Sequence, residues 1–216
     1  MYYAIYKTIR ESAWQCLLDF ELFSLPIDIL KITRAANIKV VENSRVHDLE
    51  PNEYGKSYFD GKRWTIIYDD MRDVPTARFT IAHELGHIFL GHALTYTKYE
   101  NVQQFCKRPK AEQQADMFAL RLLCPACILK ELGAISVADI VKLCSVPPEQ
   151  AKIRHDRMLK LVRRDKFLSS KLEREVYHNF SGFLLKEIRK KEKLEKENEA
   201  QKSAGRPTGA SSLERD

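Results

Sequence analysis

Arg78-Phe79-Thr80-Ile81-Ala82-His83-Glu84-Leu85-Gly86-His87 is the stretch around which the chain organises itself. Asp73 offers a helix cap just upstream, Pro75 lies in the first turn, and Ile81, Leu85, Ile88 and Phe89 form an apolar stripe that Gly91 ends. The segment therefore reads as one helix, and the helix gives the H-E-x-x-H spacing its meaning. Residues four apart are separated by ~6 Å along the axis and ~40° around it, so the imidazoles of His83 and His87 point the same way and suit one ion. Glu84 sits one residue round, placed to take a proton from a water that such an ion acidifies. The bland alternative is a pair of histidines packed in a core. Gly86 argues against it, because glycine weakens a helix interior by ~1 kcal/mol relative to alanine unless something must approach the backbone there.

Catalytic zinc sites usually take three protein ligands and leave one position open, so a further ligand is expected from elsewhere in the chain. His92 is one candidate, but Gly91 falls one place late and His92 one place early for the extended H-E-x-x-H-x-x-G-x-x-H pattern. Glu112 is better placed. Between 111 and 123, Ala111, Ala115, Phe118, Ala119, Leu122 and Leu123 recur at helical spacing until Pro125 closes the run. Glu112 and Asp116 lie one turn apart on that helix, beside its buried face. We assign Glu112 as ligand and Asp116 as the acceptor for a ligand histidine's remote N–H, with the reverse order also open.

Outward from this pair, residues 3–20 place Tyr6, Ile9, Ala13, Cys16, Leu17 and Phe20 on one helical face. A second helix is expected from a Ser24 cap, with Pro26 near its first turn, to about Asn37, and Ile38–Val41 reads as a short strand. Tyr54–Phe59 and Lys62–Tyr68 flank Asp60-Gly61 as a hairpin with a two-residue turn. The strand Arg63–Tyr68 is either an edge that accepts an extended peptide or a covered core strand. Residues 136–162 read as two helices joined at Val146-Pro147-Pro148, too proline-rich at the joint for a regular DNA-reading turn. Lys186–Glu199 reads as a charged helix, and Ser203–Ser212 as disorder.

Of 216 residues, those from 154 onward carry 17 Lys and Arg against 11 Asp and Glu, so the whole formal charge of +6 lies in the tail and the body is neutral. Nucleic acid is a secondary partner at most on that distribution. Lys7, Arg10 and Glu11 interrupt the first apolar residues, no run has the length of a membrane span and the five cysteines form no framework, so a cytoplasmic site of action with free thiols is expected. Cys124-Pro-Ala-Cys127 lacks a second pair and reads as packing.

Arg78 to His87, with Glu112-Gln113-Gln114-Ala115-Asp116-Met117-Phe118-Ala119 and Leu122-Leu123-Cys124-Pro125, resembles the ImmA/IrrE family of metallo-endopeptidases, through about residue 160. Cys124 stands where that family commonly has methionine. The resemblance implies an α+β, zincin-like minimal metallopeptidase core, to which the chain's own pattern adds a helical C-terminal extension whose basic tail after residue 165 is not part of the resemblance. Residues 1–135 would form the core, 136–165 a helical pair completing it or docking on it, and 166–216 a charged helix and tail. It further implies one zinc ion on His83, His87 and Glu112, with Glu84 as catalytic base. The substrate it implies is a helix-turn-helix repressor of a bacterial mobile element or stress response. A non-proteolytic, metal-binding transcription regulator is the alternative. The residue that joins zinc in stabilising the oxyanion is open among His92, Tyr96, Tyr99, Tyr68 and Arg78.

Overall fold

The structure is a computed structural model that describes residues 3–92 and 110–204. Helix α1 (Tyr3–Asp19) buries Ile9, Ala13, Cys16 and Leu17 on the face its periodicity marks. Helix α2 (Ile29–Ala35) starts later than its sequence suggests. Asp28 caps it, its carboxylate accepting the Lys31 N–H at 3.0 Å, while Ser24 and Pro26 belong to the preceding loop. An aspartate close to the apolar run outcompetes a serine further back. Asn37, with φ of 54°, turns the chain into β1 (Lys39–Glu42), and a short α3 (Asn43–Val46) follows.

β2 (Gly55–Phe59) and β3 (Trp64–Tyr68) form the expected hairpin, with its turn shifted by one residue. Asp60 and Arg63 close it, so Gly61 and Lys62 occupy its tip. The Asp60 carboxylate accepts the Lys62 and Arg63 N–H groups at 2.8 and 2.9 Å and so takes over one ladder bond. Only Gly61 has positive φ, 92°. The sheet runs β1-β3-β2, β3 being parallel to β1 and antiparallel to β2. β3 is thus the central strand, with Thr65, Ile66 and Ile67 all buried, and the edge reading of Arg63–Tyr68 does not hold. That continuous apolar run marks a strand covered on both faces. The edge beside the cleft is β2.

Helix α4 (Val74–Phe89) begins at Asp73, whose carboxylate accepts the Thr76 N–H at 2.7 Å, and carries Pro75 in its first turn. Helix α5 (Lys110–Leu123) packs along it. A Cβ added to Gly86 would lie 3.0 Å from Ala115 Cα and 3.1 Å from Ala115 O, so the absent side chain is what lets the two backbones meet. Leu85, Phe118, Ala119 and Leu122 surround this contact at the centre of the core.

Helices α6 (Ala126–Glu131), α7 (Val137–Cys144) and α8 (Pro148–Arg163) follow. Ser136 caps α7, and Ile140, Val146, Ala151 and Met158 join the same core. The charged tail contains more structure than its composition announces. Helix α9 (Lys171–Asn179) is capped by Ser170, and Val176, Phe180 and Leu184 are buried before the rest of α10 (Ser181–Ala204) exposes its charges. Of the Ser203–Ser212 stretch, residues from 205 onward lie outside the described ones. Cys16, Cys124, Cys127 and Cys144 are free and buried, while Cys106 is outside the described residues. Among the described residues no helix is long and apolar enough to cross a membrane.

Candidate metal centre

Helix periodicity does what the motif spacing requires. His83 and His87 project from one side of α4, their rings 4.8 Å apart and their Nε2 atoms 3.0 Å apart. Opposite them α5 presents Glu112, whose Oε2 lies 3.1 Å from His83 Nε2 and whose Oε1 lies 3.2 Å from His87 Nε2. The ligand atoms of these three residues all fall within 4.8 Å of one another, the one such group of His, Cys, Asp and Glu found among the described residues.

Two imidazole nitrogens and a carboxylate that converge on one point form a donor set that could hold a metal ion. Atoms held ~2.0 to 2.1 Å from one tetrahedral ion stand roughly 3.3 to 3.5 Å apart, and one ligand atom from each of these residues falls within 4.8 Å of the others, a group of that general size. The far side of His83 is also arranged for an ion, because its Nδ1 pairs with Asp116 Oδ1 at 2.9 Å. An N–H donated there leaves the Nε2 lone pair for the metal. Of the two acids whose order was open, the structure turns Glu112 towards the shared point and Asp116 towards the remote nitrogen of His83.

Burial works against a charge on His83, but the hydrogen bonds to Asp116 and Glu112 outweigh it and push its pKa up to about 9. The same two imidazoles hold the Glu112 carboxyl far below the usual carboxylate range. Glu84 is shifted the other way, chiefly by burial, with Ser57 and the imidazoles partly offsetting it. It is 6% exposed, and its Oε2 accepts the Ser57 hydroxyl at 2.7 Å. Sequence reasoning missed Ser57, since a hydroxyl 27 residues away on an adjacent strand carries no spacing signal.

The remaining candidates sort by position. His92 packs edge-on to His87 with ring centroids 5.2 Å apart, and its Nε2 meets Gln114 Oε1 at 2.9 Å, outside the convergent group. Arg78 donates to the carbonyls of Ile27 and Ser145 and straps α4 to the loops before α2 and α8. Tyr68 sits beside Glu42 and Asp70 at the end of β3. Tyr96 and Tyr99 lie outside the described residues.

All of this opens into a cleft of about 1070 Å³ running between β2, α4, α5 and the start of α8. Phe59 and Trp64 of the hairpin line it, their rings 5.3 Å apart, as do Thr76 and Phe79 of α4 and Glu149 of α8. Among the described residues no strand pairs with the outer edge of β2, so the cleft is bordered by unpaired backbone donors and acceptors.

No curated protein matches the chain. A family model does, the one for peptidase family M78, described as the IrrE N-terminal-like domain, and its match spans residues 34–155. That span is more than half of the chain and holds β1 to β3, both metal-site helices and most of the α7–α8 pair. The protein belongs to this peptidase family.

Proposed function

We propose that the protein is a zinc-dependent endopeptidase that hydrolyses a peptide bond in a protein substrate, with His83, His87 and Glu112 as ligands and Glu84 as general base. The observation that carries this reading is the convergence of His83 Nε2, His87 Nε2 and the Glu112 carboxylate, ligand atoms within 4.8 Å of one another, with a buried carboxylate one residue round the helix. A set of two imidazoles and one carboxylate suits zinc. When bound, zinc lowers the pKa of its water to about 7 and polarises the substrate carbonyl.

The chain's own groups supply the rest. Burial raises the affinity of Glu84 for a proton, which favours its accepting one from the attacking water and passing it to the departing amine as the C–N bond breaks. The free edge of β2 offers main-chain hydrogen bonds to an extended segment, an arrangement that holds many sequences alike, so that selectivity comes from docking elsewhere. For the substrate we infer a helix-turn-helix repressor, on the strength of the family resemblance.

Glu84→Gln tests the mechanism. The variant is expected to keep one zinc per chain by metal analysis, since Glu84 is not a ligand, and to lose cleavage of a repressor encoded beside it and co-expressed with it. Normal cutting by that variant would falsify the assignment of the base. An unmodified protein that leaves the repressor whole yet changes its affinity for DNA would favour the non-proteolytic regulator.

A further inference from the structure

β2 and α4 run side by side in step. Gly55 lies against Thr80 and Ser57 against Glu84, and two strand residues advance ~6.6 Å while four helical residues advance ~6 Å. The approach is close. A Cβ at position 55 would fall 2.4 Å from Thr80 Cγ2 and 3.0 Å from Ile67 O, so a side chain there would push the strand away from the helix. Pairing of Ser57 with Ile66 fixes which face of the sheet its hydroxyl occupies. That face is the one turned to Glu84.

Among the described residues Ser57 is the one side chain that hydrogen-bonds Glu84, and the hydroxyl donates, because a carboxylate can only accept. The terminal torsion of a glutamate is broad and roughly two-fold, so without a partner the carboxylate plane would swing. From these observations we infer that Ser57 is a positioning residue for the base. Its O–H holds Oε2, which leaves Oε1 to face the attacking water. It also couples two events. Ser57 rides on the strand whose outer edge, unpaired among the described residues, borders the cleft, so an extended peptide that pairs along β2 stiffens the element that aims Glu84. The inference rests on the peptidase reading and adds to it a link between substrate binding and the orientation of the base.

The full-length, zinc-loaded protein and its Ser57→Ala and Ser57→Thr variants would be tested on a degenerate mixture of fluorogenic decapeptides. The best-cut sequence, identified by mass spectrometry, would then serve for kinetics. Ser57→Ala is expected to keep its zinc and stay folded with a modestly lower melting temperature, since it leaves a buried carboxylate short of a donor, to lose kcat by roughly ten- to a hundred-fold, and to leave KM within about twofold. Ser57→Thr, which restores a hydroxyl on a β-branched residue suited to a strand, should recover most of kcat. Trimming the peptide to four residues should lower kcat in the unmodified protein and have little effect on kcat in Ser57→Ala.

An unchanged kcat in Ser57→Ala, or a loss that threonine does not rescue, overturns the assignment to Ser57 alone. A zinc-loaded unmodified protein that cuts nothing in the mixture overturns the peptidase reading and the role of Ser57 with it.

Discussion

His83 stands between two carboxylates, and its proton and the metal compete for one position. In the metal-free protein its pKa rises from 6.5 to about 9, so the stability it contributes is whole below pH 6.5 and fades as pH climbs through 9. Glu112 behaves oppositely: its pKa falls below 4.5, so its contribution is present above that value and is lost as pH drops further. The melting temperature of the metal-free protein should therefore decline between pH 6.5 and 9.5. Over the same range zinc affinity should rise, by up to about tenfold per pH unit, as each ion displaces one proton. Scanning fluorimetry and chelator competition would measure the two trends; parallel trends would contradict the competition. At this scale the chain was largely legible from its sequence. Four-residue spacing brought His83 and His87 together, and the next helix supplied Glu112 and Asp116. The sequence left the order of the two acids open because both share one face, and only the rotation of α5 against α4 separates them.

The contact between α4 and α5 shapes the centre more than either helix alone. Gly86 is its pivot, and a methyl group there would press on Ala115 backbone, which has little freedom to retreat inside a packed pair. Gly86→Ala should destabilise the fold by about 1 to 3 kcal/mol despite the better helix propensity of alanine. It should also weaken zinc binding by moving Glu112 outward, measurable by urea denaturation and metal titration; a gain in stability would refute the close approach. A glycine in a helix interior is a signal of such an approach that the sequence itself carries. The start of α2 and the hairpin turn were less legible, since each offers more than one position able to do the same job and the choice depends on neighbours distant in sequence. The placement of β3 followed the same pattern: its apolar run fits a covered strand, but the sequence names neither flanking partner.

Across the whole molecule, the core continues well past the family match, which ends at residue 155. Val176, Phe180 and Leu184 are buried with residues from α1 and α6, so removal of residues 166–216 should unfold or strongly destabilise the protein rather than merely trim it. The single change Phe180→Ala should cost about 3 to 5 kcal/mol, as for other fully buried aromatic residues, and chemical denaturation would show it. A cost below 1 kcal/mol would mean the tail packs only loosely. The sequence obscured this part because the anchoring residues are few and stand among lysines and glutamates that dominate any average of composition. The thiols of this interior have a further consequence. Burial raises the pKa of Cys127 to about 12 and raises that of Cys16, a hydrogen bond with Cys124 and then burial raise that of Cys144, and a thiol reagent attacks only the ionised form. The native chain should therefore resist alkylation at these positions and become labelled there only in molecules that have momentarily opened. Each such label, mapped by mass spectrometry, would record where the chain breathes.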